Sequence, residues 1–118
     1  MYSSDRTTKD KGYMMYRKPL YKAVVCADGF SMSVQAATSA YSNPRHDNGP
    51  YTEVEVGYPN EEESLLVPYA EDSEKLTETV YPYVPVAKVS LVLAKHGGVV
   101  EGELPEGIPM LKSEYGQE

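Results

Sequence analysis

The sequence predicts an α+β fold, in which a small antiparallel sheet of about four strands is covered on one face by a single C-terminal helix, with flexible tails at both ends. Short runs that alternate apolar and polar residues follow one another with short connections, which is typical of antiparallel strands. An Asp-Gly pair joins the first two runs, and only one amphipathic segment is convincingly helical.

The first two strands are predicted to form a hairpin around Asp28 and Gly29, because this pair tolerates the left-handed positions of a type I′ turn. Residues 23–27 are apolar on both faces, which favours a central position in the sheet. Residues 30–35 alternate between apolar and polar types, so we expect this strand to bury one face and to leave the other in water.

The next extended segments are more acidic. Residues 51–58 alternate valine with glutamate and predict a strand, and we expect the apolar run 64–69 to pair with it as an edge hairpin. Residues 79–84 should be extended because Pro82 and the following Pro85 disfavour a helix there, and one further short strand is indicated at 99–105.

The helix is predicted from Pro85 to His96. Proline suits the first turn, Lys95 and His96 complement the helix dipole, and Gly97 supplies a left-handed cap. Val92 falls on the polar side of the helix in this prediction, which hints at a further contact. We interpret His96 as a capping residue first, and as a ligand or general base only second.

The chain length allows one domain, which we assign to residues 21–105. Residues 1–20 form a basic tail and residues 106–118 a C-terminal tail, and both are expected to be flexible. The uncovered sheet face, Val92 and the large side chains at 13–16 together predict a homo-oligomer.

Composition narrows the functional classes. The single cysteine cannot form an internal disulfide, and no stretch has the length and apolarity of a membrane span or a signal peptide, so the cytoplasm is the expected location. No spacing of Cys, His, Ser, Asp or Gly matches a catalytic, metal or nucleotide motif. We therefore predict no catalytic residue, no metal and no cofactor.

Charge is divided unevenly along the chain. Residues 1–22 carry six basic and two acidic side chains, whereas residues 23–118 carry five basic and sixteen acidic ones. Nine carboxylates fall within 53–78 against one lysine. The acidic part of the chain, residues 23–118, should be repelled by nucleic acid and should bind a basic protein surface. The predicted partner-binding residues are Glu53, Glu55, Glu61, Glu62, Glu63, Glu71 and Asp72.

The loop 42–50 is a second candidate region, because it is dense in turn-forming residues and contains Arg45, His46 and Asp47. These three side chains could bind an anion or form a weak acid-base pair. Since adjacent residues rarely converge on one atom, we favour a surface or structural role for them.

Several segments carry a resemblance: 22–36, 48–57, 68–72 and 95–98. They resemble a family of short, uncharacterised proteins encoded by bacteriophages and prophages, over roughly residues 21–105. No established activity is associated with that family. The resemblance therefore implies a genomic setting and transfers no catalytic or binding residue.

Three functions follow as hypotheses. The first is a phage interaction protein that binds and blocks a host protein, for instance a defence component with a basic groove. The second is a virion or assembly component that forms homo-oligomers. The third, least favoured, is a small enzyme or ligand-binding protein that uses Cys26, Asp28, Arg45 and His46.

Overall fold

The computed structural model describes residues 20–114, and these form a five-stranded antiparallel sheet with one α-helix. The predicted α+β class is confirmed, with one strand more than expected. In chain order the elements are β1 (Val24–Cys26), β2 (Ser31–Gln35), β3 (Glu53–Gly57), a 3-10 helix (Val67–Tyr69), β4 (Val80–Pro85), α1 (Val86–Lys95) and β5 (Val99–Glu101).

The strands lie in the order β4-β3-β2-β1-β5. β1 to β4 form a meander in which Val24 pairs with Met32 and Val34 pairs with Val56. The helix then carries the chain from one edge of the sheet to the other, where β5 pairs with β1. β1 therefore has a neighbour on each side, as its apolar composition predicts.

The core lies between α1 and one face of the sheet. Valines of the strands, together with Phe30, Met32 and Tyr81, meet the helix residues Val89 and Leu93 there. On the other face, the residues of β2 that alternate with the core positions are only half-buried. No described helix covers that face.

The β1–β2 turn has one left-handed residue, whereas a type I′ turn has two. Gly29 has a φ of +94°, but Asp28 is not among the residues with positive φ. The amide of Gly29 donates to the carbonyl of Cys26, and Asp28 Oδ1 accepts the Phe30 amide at 2.9 Å. One left-handed glycine after a type I turn gives a three-residue loop, so the position of the turn is confirmed but its type is not.

The predicted strand at 64–69 is wrong. The amides of Leu66, Tyr69 and Ala70 each donate to a carbonyl three residues earlier, so the chain turns here instead of extending. Pro68 lies within this turn, and β3 pairs with β4 instead. The burial of Leu66 and the partial burial of Leu65 and Tyr69 follow a helical spacing.

The orientation of the helix also differs from the prediction. Val92 is fully buried, whereas Leu91 is 54% exposed. The buried positions are Val89, Val92 and Leu93, which follow the three-four spacing of one helix stripe. Because apolar residues occur around the whole helix, the sequence did not determine which stripe faces the sheet.

The described chain beyond residue 105, which the sequence analysis assigned to a C-terminal tail, packs against the domain. Ile108 is part of the core, and Ser113 is buried. The amide of Val99 donates to the carbonyl of Leu111, and the amide of Ser113 donates back to Val99. The ordered domain thus continues to the last described residues. The 13–16 cluster lies outside the described residues, and so does the predicted N-terminal tail except for residue 20.

Candidate functional site

Four charged side chains from three parts of the fold meet at the C-terminal end of α1. His96 Nδ1 lies 2.6 Å from Asp28 Oδ2, and His96 Nε2 lies 2.6 Å from Glu63 Oε1. Lys95 Nζ donates to Glu63 Oε2 at 2.8 Å. We call Asp28, Glu63, Lys95 and His96 the histidine cluster.

The backbone around the cluster fixes its geometry. The helix ends at Lys95, and Gly97 and Gly98 follow with φ values of +91° and +88°, conformations that glycine adopts without strain. The amide of Gly98 donates to the carbonyl of Leu93, which closes the helix end. The Phe30 ring stacks on the imidazole with centroids 4.0 Å apart, so His96 is held between an aromatic face and two carboxylates.

The surroundings of His96 favour the protonated imidazolium. Burial alone would lower its pKa, but the hydrogen bonds to Glu63 and Asp28 outweigh burial and raise the pKa of His96 above 6.5. Burial likewise opposes ionisation of Glu63, yet bonds from Lys95, the Leu65 amide and His96 lower its pKa. The Phe30 amide and then His96 lower the pKa of Asp28.

This arrangement suits a structural role for His96 and is poorly suited to proton transfer from a substrate. A carboxylate can only accept hydrogen bonds, so a ring between two carboxylates uses both of its N–H groups. The side chain of His96 is 8% exposed and that of Glu63 is 1% exposed. The prediction that His96 caps the helix thus describes only part of its role, since its side chain links the helix to the β1–β2 turn and to Glu63.

Glu63 is the residue that the sequence analysis placed wrongly. We expected it on an exposed acidic surface with Glu61 and Glu62, but it is buried and bonded to Lys95 and His96. Its neighbours Glu61 and Glu62 are exposed. The run of three glutamates does not indicate that the third one is buried, because its partners lie more than 30 residues further along the chain.

The remaining predicted partner-binding residues are accessible to different degrees. Glu53 and Glu55 are half-buried on the sheet, and Glu55 Oε1 accepts the amide of Tyr41 at 2.9 Å. The connection between β3 and β4 holds the exposed carboxylates. We define the acidic loop as residues 61–78, whose exposed carboxylates are Glu61, Glu62, Glu71, Asp72, Glu74 and Glu78.

The two halves of the acidic loop meet around Tyr81 of β4. The Tyr81 hydroxyl donates to the carbonyl of Leu76 at 2.5 Å, and burial together with the nearby Glu62 carboxylate raises the pKa of Tyr81. The amide of Glu71 donates to Val80, and the amide of Asp72 donates to Thr79 Oγ1. The loop is therefore tied to the edge of the sheet at several points.

Arg45, His46 and Asp47 each bond to a backbone group of the loop or of the segment before it. Arg45 Nε donates to the carbonyl of Thr38, and its guanidinium lies over the Tyr41 ring. Asp47 Oδ1 accepts the Thr38 amide at 2.8 Å, whereas His46 Nδ1 accepts the amide of Asn48. Arg45 and Asp47 thus both bond to the backbone of Thr38, whereas His46 bonds to a backbone group within the loop.

Cys26 is a core residue. It is 2% exposed, and burial followed by the charge of Asp28 raises the pKa of its thiol to about 11. A thiol that stays protonated is a poor nucleophile.

Within residues 20–114, no group of three or more His, Cys, Asp or Glu side chains could hold a metal ion. The same part of the chain has no helix that is long and apolar enough to cross a membrane. Comparisons of the chain with protein-family models, curated proteins and solved structures found no match.

Proposed function

We propose that this protein is an interaction protein whose acidic loop binds a basic surface on another protein. In the setting that the phage resemblance implies, the partner is a host protein in the bacterial cytoplasm, and binding blocks it. The observation that carries the proposal is the row of six exposed carboxylates against one lysine on a single loop.

The attachment of the loop supports this role. Leu66 is buried, and the contacts of Tyr81, Val80 and Thr79 hold the rest of the loop against β4. A loop that is already ordered loses little conformational entropy when it binds. Its charge would also speed the encounter with a basic partner and repel nucleic acid phosphates.

Self-association through the uncovered face of the sheet is a second proposal. The observation that favours it is that α1 covers one face only, while Val25 and Ser31 lie side by side on the other face. Val92 no longer supports this proposal, because it is buried in the core.

The test compares two triple charge reversals that change the net charge equally. Glu61→Lys, Glu62→Lys and Glu74→Lys alter the acidic loop, whereas Glu101→Lys, Glu106→Lys and Glu114→Lys alter exposed carboxylates of the β5 and C-terminal region. Glu63 is left unchanged because it is buried. Proteins captured from host lysate by the wild type are then purified, and their binding is measured at about 0.1 M and about 1 M salt.

We expect the acidic-loop variant to lose binding and the control variant to keep it, with a slower association rate as the main change. Binding by the wild type should weaken at high salt. Equal loss in both triple variants, or binding that does not respond to salt, would contradict the proposal. Concentration-dependent light scattering that shows dimers, with no host protein captured, would support self-association instead.

A further inference from the structure

We propose that His96 is a pH-sensitive latch: the protonated ring joins the Asp28 turn to Glu63, and the neutral ring keeps Glu63 and releases Asp28. This inference stands on the contacts of the histidine cluster and is independent of the proposed function. It concerns how the β1–β2 turn is held against the end of the helix.

The His96 ring must carry two protons when it is bonded to both Asp28 and Glu63. Two carboxylate oxygens lie 2.6 Å from the two nitrogens of one imidazole. A neutral imidazole has one N–H, so its other nitrogen would place a lone pair against a carboxylate oxygen. Loss of a single proton therefore breaks one of the two contacts.

The surroundings of the two carboxylates determine which contact breaks. The side chain of Asp28 is 49% exposed, and its Oδ1 keeps the Phe30 amide, so the released carboxylate can be solvated by water. Glu63 is buried, and Lys95 and the Leu65 amide bond to its Oε2, so loss of the histidine contact would leave Oε1 without its ring partner in the interior. The neutral ring should accordingly keep its proton on Nε2, facing Glu63.

Each element packed against the ring contributes to the charge balance. Asp28 comes from the β1–β2 turn, Glu63 from the acidic loop and Lys95 from α1. Cys26 at the end of β1 stays a neutral thiol in this range. Two carboxylates face one ammonium and one imidazolium, so deprotonation of His96 leaves an unbalanced negative charge.

The release of Asp28 should be visible in the backbone of the β1–β2 turn. The amide of Ala27 donates to Gly98 at 3.0 Å, and the amide of Asp28 donates to His96 at 3.3 Å. Both bonds lie beside the side-chain contact that is lost. We expect these amides to exchange faster with solvent once His96 is neutral, relative to core amides such as that of Val34.

The experiment follows the imidazole nitrogens of the ¹⁵N-labelled full chain by NMR across the titration of His96. Exposed His46, the other histidine of the chain, serves as the internal reference. We expect a doubly protonated ring that converts to the Nε2–H form, together with faster exchange at Ala27 and Asp28. A neutral ring protonated on Nδ1, or turn amides whose relative exchange does not change, would overturn the proposal.

Two matched variants complete the test. Asp28→Asn can donate to a neutral Nδ1, so His96 should titrate at a lower pH and the turn should no longer respond to its titration. Asp47→Asn is the control, because Asp47 also caps a loop amide but is not part of the histidine cluster. An Asp28→Asn variant in which His96 titrates as in the wild type would contradict the latch.

Discussion

Nδ1 of His96 lies 2.6 Å from Oδ2 of Asp28, which joins the end of the helix to a turn 68 residues earlier in the chain. With Glu63 on the other ring nitrogen, one side chain links the helix, the first hairpin and the start of the acidic loop. A residue that the sequence indicates first as a helix cap thus also joins three parts of the fold through its side chain.

The first prediction concerns stability against pH. The raised pKa of His96 means that its contribution is complete below about pH 6.5 and is lost as the pH rises through its higher folded value. The lowered pKa values of Asp28 and Glu63 mean that their contributions are complete above about pH 4.5 and are lost in more acidic solution. The cluster should therefore stabilise the fold most between these two limits.

Unfolding by urea at a series of pH values measures this profile. In His96→Gln the fall in stability above pH 6.5 should be missing. An unchanged alkaline slope in that variant would show that His96 is not its source.

The second prediction separates two neighbouring glutamates. Glu63→Gln should destabilise the fold by about 2 to 4 kcal/mol, because it removes a buried charge that pairs with Lys95 and His96. Glu62→Gln changes an exposed side chain and should stay within about 0.5 kcal/mol of the wild type. Denaturant unfolding of both variants makes the comparison, and equal effects would contradict the placement of Glu63.

The third prediction uses two glycines with positive φ. Gly29→Ala should cost about 1 to 2 kcal/mol through backbone strain alone, since a Cβ there meets nothing within 4 Å. At Gly102 a Cβ would collide with the backbone of Ala23 and Val24, so Gly102→Ala should lower the thermal midpoint further. A smaller effect at Gly102 than at Gly29 would be inconsistent with the close approach of these segments.

The fourth prediction concerns thiol reactivity. Because burial raises the pKa of Cys26 to about 11, the folded protein should react with iodoacetamide far more slowly than the unfolded chain. Mass spectrometry at several urea concentrations would follow the labelling. Rapid labelling of the folded protein at neutral pH would show that Cys26 is accessible.

Sequence patterns correctly predicted the elements that are determined by residues close together in the chain. The Asp-Gly pair located the first turn, the alternation around Val54 and Val56 located β3, and the Gly97 cap located the end of the helix. The strand β4 also forms where two prolines required an extended chain. In each case the signal comes from backbone preferences within a few residues.

The errors share a different cause, namely contacts between distant parts of the chain. In the sequence Glu63 is typical of a solvated turn, and only the fold brings His96 next to it. Leu66 lies in a turn, and it is buried because the fold packs this turn against the core. The choice between Val92 and Leu91 likewise depends on how the helix sits on the sheet. The periodicity of one segment gives no information about these distant partners.

The central claim is that Glu63 and His96 act together to hold the fold. A double-mutant cycle with Glu63→Gln, His96→Gln and the double variant tests it most directly, by urea unfolding at about pH 6. We expect a coupling free energy on the order of 1 to 3 kcal/mol, because either substitution alone already breaks the contact. Effects that add to within about 0.5 kcal/mol would contradict the claim, since two residues that do not interact behave in that way.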